Sequence, residues 1–277
     1  MKRSLWLGLL LMTIFTACRK APVEGKRPSI NIDSVLALPP DTLEWDELEI
    51  PSGADGLFDD FMFNFVRNSR FQEERIAFPL PVQNGREMSK IEREEWTFDR
   101  LEVLEEVNTM IFDEEADMTC AQDTSVNEVK VEFIFFHCDS VKQYVFKRLE
   151  GRWKLTGLNW QSFKRHVNGE FYTFYKQFAT DSVFQRKRIR NPYVFKTYDE
   201  YSNEEVFGDV SADTWWDYSP ELPKEMLTNI NYGQRLKKNS RTRVIELRGF
   251  GNGFNNALFF RFRNGSWKLT RFEDLSN

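Results

Sequence analysis

An α+β fold built from two copies of one unit is predicted by three observations. Phe58, Phe61, Phe65, Ser69, Phe71, Gln72, Arg75, Ile76 and Pro79 recur 113 positions later as Phe171, Phe174, Phe178, Ser182, Phe184, Gln185, Arg188, Ile189 and Pro192. Gly151-Arg152-Trp153-Lys154-Leu155-Thr156 returns 114 positions later as Gly265-Ser266-Trp267-Lys268-Leu269-Thr270. Within each copy the apolar period changes from that of a helix to that of strands, with few signs of strand–helix–strand crossovers.

The chain opens on a processing signal. Lys2 and Arg3 precede an apolar run over 5–15, long enough for a signal core but short of the roughly 20 residues of a membrane span. Thr16-Ala17-Cys18 resembles a bacterial lipobox, although Phe15 stands where leucine is usual. The expectation is that residues 1–17 are removed and Cys18 is acylated, since two or three acyl chains hold a protein firmly on a bilayer. Arg19 and Lys20 follow, not the acidic residues that tend to mark surface-exported lipoproteins. The expected address is therefore the periplasmic face of the cell envelope, on the outer membrane rather than the inner. Loss of Lys2 and Arg3 moves the formal net charge from −5 to −7. A mildly acidic body does not suit nucleic acid, whose binding rests on clustered lysine and arginine.

Residues 18–54 read as a lipidated tether, because Pro22, Pro28, Pro39, Pro40 and Pro51 interrupt any regular element. Ser34 in Asp33-Ser34-Val35 and Thr42 in Asp41-Thr42-Leu43 resemble a short O-glycosylation pattern of Bacteroidota envelope proteins. Ser140 and Ser182 sit in the same pattern, which is loose enough to recur by chance.

Two units follow, 55–160 and 161–277, each of ordinary domain size and expected to have its own core. Phe58, Phe61, Met62, Phe65 and Val66 fall on one helix face, as do Phe171, Phe174, Tyr175 and Phe178. Alternation at Val129, Val131, Phe133 and Phe135 predicts a strand, then a turn at Asp139-Ser140 and a strand through Tyr144-Val145-Phe146. A turn at Glu150-Gly151 leads to the strand holding Trp153 and Leu155. The second copy repeats this near 243–247, 258–262 and 267–272, with Asn264-Gly265 as a tight turn.

A helix, then Phe71-Gln72-x-x-Arg75-Ile76-x-Phe78-Pro79-Leu80, then a closing Gly-x-Trp-x-Leu strand resembles an uncharacterised family of Bacteroidota lipoproteins. That family is assigned the nuclear-transport-factor-2-like (SnoaL-like, cystatin-like) fold. The resemblance runs from about residue 55 to the end and fits the first copy better, since Arg190, Asn191 and Tyr193 stand where the first has Ala77, Phe78 and Leu80. It implies two tandem cones, each a long N-terminal helix wrapped by a curved antiparallel sheet. It implies no activity, because this fold hosts both enzymes and binding modules.

The residues themselves offer little chemistry. His137 and His166 lie in different units, no serine or cysteine sits in a nucleophile elbow, and no His/Cys/Asp group has metal spacing. No cofactor and no metal are expected. Gly249-Phe250-Gly251-Asn252-Gly253 precedes a strand and not a helix, so it reads as a hairpin loop and not a phosphate loop. Arg75 and Arg188 are repeated polar residues in apolar surroundings, where a guanidinium needs a partner. The expectation is an ion pair from Arg75 to Asp99, after Trp96, and from Arg188 to Asp217, after Trp215-Trp216; the competing reading is an anion site in each cavity. Cys120 and Cys138 are either a disulfide or two free thiols. Trp215, Trp216, Tyr218, Tyr193 and Tyr198 divide between core and a carbohydrate or peptide groove.

The expected role is non-enzymatic binding or scaffolding toward an envelope protein, peptide or glycan. The competing class is an isomerase- or dehydratase-type enzyme. It requires a reachable carboxylate or histidine inside a cone.

Overall fold

Each copy begins with a helix pair. In the first, α1 (Phe58–Phe65) buries Phe58, Phe61, Met62 and Phe65, and α2 (Ser69–Glu74) follows after a cap at Asn68, whose side chain accepts the Phe71 N–H at 2.7 Å. In the second, α3 (Gly169–Thr180) is followed by α4 (Ser182–Lys187), capped by Asp181 through the Val183 and Phe184 N–H groups. Asn68 and Asp181 are the same position of the repeat, and each satisfies helix N–H groups that have no partner within the helix. Gly169 starts α3 against the backbone of the preceding turn; a Cβ there would lie 1.7 Å from the Phe163 carbonyl oxygen.

Six strands complete each copy: β1 (Leu80–Asn84), β2 (Glu87–Ile91), β3 (Val107–Phe112), β4 (Glu128–Phe135), β5 (Ser140–Leu149) and β6 (Arg152–Ser162) in the first. The second has β7 (Ile189–Tyr198), β8 (Glu205–Val210), β9 (Met226–Asn231), β10 (Thr242–Gly249), β11 (Asn255–Arg263) and β12 (Ser266–Asp274). A short helix, α5 (Trp215–Tyr218), precedes β9. This computed structural model describes residues 53–101, 107–123, 125–199, 201–234, 236–249 and 253–276, all within one compact unit, Glu44–Asn277. Cys18, Ser34, Thr42 and residues 250–252 lie outside the described residues.

The sheets do not respect the boundary between copies. One runs β2-β1-β6-β5-β4-β9 and the other β8-β7-β12-β11-β10-β3. The third strand of each copy has therefore crossed to the other copy's sheet: Ile230 pairs with Val131 of β4, and Ile111 with Ile245 of β10. Pairing is antiparallel except between β1 and β6 and between β7 and β12. Where the exchanged strands meet, the Thr109 N–H donates to Thr228 Oγ1 at 2.8 Å and the Thr228 hydroxyl donates to the Thr109 carbonyl at 3.3 Å. Each threonine is the third residue of its strand.

Each sheet wraps its helix through the same three aromatics. Phe58 packs edge-on to Phe146 at 5.3 Å and Trp153 at 5.1 Å; Phe171 packs on Phe260 at 5.4 Å and Trp267 at 5.1 Å. Such pairs contribute about 0.5–1.5 kcal/mol beyond the area they bury. The expectation of separate cores is corrected by the exchange. Tyr232, Val244, Ala257 and Phe259 complete the first core, and Ile111, Ile134, Phe136 and Val141 complete the second.

Candidate functional site

Both cones are filled. Phe61, Phe65, Phe146 and Trp153 occupy the first and Tyr175, Phe178, Trp215 and Phe260 the second, all essentially inaccessible. Of the aromatics singled out in the sequence, Trp215 and Tyr193 are core residues, whereas Trp216 and Tyr218 are exposed.

The two repeated arginines separate in their partners. Arg75 forms a fork-to-fork pair with Asp55, Nη1 to Oδ1 at 2.8 Å and Nη2 to Oδ2 at 2.9 Å, and Asp55 also accepts the Trp153 N–H at 2.8 Å. Burial raises the Asp55 carboxyl, but these donors outweigh it and leave the group below its usual value. The expected pair with Asp99 is not formed. Gln72 holds the Asp99 segment instead, accepting from the Trp96 indole and the Asp99 N–H and donating to the Asp99 carbonyl. The Asp99 carboxylate is thereby turned toward the Tyr144 hydroxyl and Lys142. Arg188 does not meet Asp217 either, because α5 points Trp215 into the core and leaves Asp217, two positions on, in solvent. Arg188 lies over the Phe184 ring and donates to Ser266 Oγ, and its buried Nε has no acceptor among the described residues. Cys120 and Cys138 are free thiols, not a disulfide: Cys120 is part-buried near Gln234, and Cys138 is exposed in the β4–β5 turn beside Ser140.

The most concentrated polar chemistry lies between the copies, where His166 meets Glu132, Gln143 and Asn229, three residues that no sequence motif singled out. Glu132, in the middle of β4, is fully buried. Its Oε1 accepts from Gln143 at 2.5 Å and from His166 Nε2 at 3.2 Å, and its Oε2 accepts from Asn229 at 2.7 Å. His166 Nδ1 accepts the Asn168 N–H at 3.1 Å, which assigns the ring proton to Nε2. Burial opposes the Glu132 charge, yet His166, Asn229 and Gln143 together hold its carboxyl below the usual range. The network continues from Asn168 Oδ1 to Arg243 Nε at 2.9 Å, and Arg243 lies 2.7 Å from Asp113 in an ion pair that is not aligned as a hydrogen bond. Glu132, Gln143 and His166 border an open recess of about 590 Å³. The recoverable signal was repetition: Glu132 returns as Glu246, 114 positions on, and an acid repeated inside a buried strand demands a partner. His166 precedes α3 by three residues, and His137 is exposed in the β4–β5 turn. Among the described residues no group of three or more His, Cys, Asp or Glu is placed to hold a metal, and no helix is long and apolar enough to cross a membrane.

Two curved sheets, each closed over a helix, define an NTF2-like architecture present twice. The chain belongs to the family described as domain of unknown function DUF4348, whose model matches residues 41–274. It is similar to a crystallised NTF2-like protein from Bacteroides fragilis, with 40% identity and a TM-score of 0.77 over 82% of this chain and 99% of that one. No curated protein matches.

Proposed function

We propose that this protein is a non-enzymatic binding or scaffolding module of the cell envelope, held at a membrane by acylated Cys18 and presenting its surface to an envelope protein, peptide or glycan. The observation that carries this reading is the filling of both cones, among the described residues, by buried Phe, Tyr and Trp, which takes up the interior that a substrate would need. Crosslinking in intact envelopes followed by affinity capture tests it. A stoichiometric partner that is lost with surface variants supports the reading; capture of none across varied growth conditions counts against it. The anchor is tested separately. The Cys18→Ala protein is expected in the soluble fraction, and full retention in membranes removes the lipid assignment.

One observation favours an enzyme of isomerase or dehydratase type: Glu132 and His166 adjoin an open recess. Both groups are saturated by protein partners, which weakens them as acid and base. A substrate whose turnover is abolished by Glu132→Gln would decide for the enzyme.

A further inference from the structure

The second copy carries a cationic groove that the first copy neutralises. In the first, Glu128, Lys147 and Lys154 stand side by side across β4, β5 and β6. Glu128 lies 3.3 Å from both Lys147 and Lys130, so one carboxylate serves two ammonium groups. The same row in the second copy is Thr242, Arg261 and Lys268 across β10, β11 and β12. The cations are kept and the acid is replaced by a hydroxyl. Arg261 and Lys268 then face each other directly, an arrangement that costs a sheet stability unless something anionic lies over it.

A second replacement acts in the same place. Asp55, which neutralises Arg75, corresponds at the 113-residue offset to Asn168, whose side chain binds Arg243 and Tyr172 instead. Among the described residues Arg188 is left without a carboxylate, its Nε unpaired, at the edge of the same groove. Arg263 shares the Arg261 face of β11, and Arg190 lies on β7, beyond β12. Seven cationic and three acidic side chains line a groove of about 960 Å³, a local surplus of four positive charges on a chain whose formal net charge is −5. Two of the seven are occupied, Arg243 with Asp113 and Arg271 with Glu115 and Glu273. Among the described residues, Arg188, Arg190, Arg261, Arg263 and Lys268 form no ion pair.

We propose that this groove binds a compact ligand carrying two or more clustered phosphate groups. Adjacent strands place Arg261 and Lys268 roughly 5 Å apart at the backbone, a spacing that lets neighbouring phosphates be held at once. Four of the five are arginines, whose planar forks match phosphate oxygens bidentately. The acidic body limits the ligand's size, because a long polyanion would leave the groove and meet like charge within a Debye length of about 8–10 Å. The chemistry is shared by a free polyphosphorylated molecule and by a phosphorylated lipid headgroup. The inference rests on the binding-module reading in one respect, that the ligand is held and not turned over.

The decisive variant is Thr242→Glu, which restores the first copy's acid without removing any cation. With the full chain, calorimetry should show salt-dependent binding of tripolyphosphate, weakened about tenfold or more by Thr242→Glu, the effect expected for losing a charge-assisted contact. Arg261→Gln with Lys268→Gln should weaken it similarly, and Lys154→Gln in the first copy should leave it unchanged. Vesicles of phosphatidylcholine with and without phosphatidylinositol bisphosphate, whose headgroup carries clustered phosphates, form the second arm, read as the difference between parent and Thr242→Glu so that any contribution of the N-terminal segment cancels. A difference in both arms supports the site with a headgroup as source; a difference for tripolyphosphate alone supports it with a free ligand. Equal binding by parent and Thr242→Glu in both arms overturns the proposal and leaves the binding-module reading standing. Release of orthophosphate from bound tripolyphosphate would sink the non-enzymatic reading and leave the site standing.

Discussion

The two copies share their apolar scaffold and differ in where their carboxylates have partners. Phe58, Phe146 and Trp153 have the same mutual packing as Phe171, Phe260 and Trp267. Gln72 and Gln185 both stay buried, and each accepts from a tryptophan indole. The acids do not follow this rule. Glu132 accepts from three side chains, whereas among the described residues Glu246 meets Arg248 alone, at 2.8 Å, and its Oε2 is unsatisfied. Burial pushes the Glu246 carboxyl up, against the opposing pull of Arg248. The difference teaches that close packing constrains both copies alike, while polar partners are free to diverge, so asymmetry between the copies marks the places where function can differ.

The comparison is broken most severely at Glu132. Glu132→Ala leaves the buried donors of His166, Asn229 and Gln143 without their acceptor and is expected to cost about 3–5 kcal/mol in urea unfolding. Glu246→Gln, at the same position of the repeat, removes a charge that burial already disfavours and should be within about 1 kcal/mol of neutral. Equal losses from the two substitutions would show that the copies do not differ here.

A smaller effect is expected at the arginines. Arg75→Met leaves Asp55 unpaired, and because that carboxylate is partly solvated the cost should be about 1–2 kcal/mol. Arg188→Met strands no carboxylate and should cost less. Because each sheet contains a strand from the other copy, either variant should shift one calorimetric transition; two separated transitions would show that the halves unfold independently.

Asp55 also gives the pair a pH signature. Its folded-state value lies below the ordinary 3.8, so the stability it contributes is present above 3.8 and is lost as pH falls through the folded value. The Asp55→Asn penalty should therefore be constant near neutrality and vanish in acid. A penalty that persists at the lowest pH would assign the effect to packing and not to charge.

The mildest test concerns the thiols. Burial and the neighbouring Asp117 push Cys120 up to about 11, so at pH 8 little of it is thiolate, whereas Cys138 is exposed. Maleimide should label Cys138 quickly and Cys120 slowly in the native protein. If neither reacts until a reductant is added, the two are bonded after all.

What the sequence made legible was whatever repeats locally. The Phe stripes, the Trp-x-Leu strands and the turn at Asn264-Gly265 announce themselves through spacing, and each lies where expected. Partner choice was not legible, because an ion pair depends on contacts across the fold. Trp96 and Trp215 marked the right loops, but the buried glutamines and not the arginines tie those loops to the helices. Asp55 stood at the very start of the first unit, and only the folded chain brings it to Arg75. The strand exchange was equally hidden: none of the strands expected from alternation covers β3 or β9, and nothing local states which sheet will receive them.

The exchanged strands set an order of events during synthesis. β4 needs β9 as its outer neighbour, and residues 136–225 must be made before that neighbour exists. At about 5–20 residues per second the first sheet waits for several seconds with an open edge, and β3 waits longer still for β10. An open edge in a nascent chain invites pairing with another copy, and the exchanged pattern already describes how two chains would do it. Growth temperature and expression rate should therefore decide how much of this protein closes on itself and how much leaves the ribosome as a strand-swapped dimer.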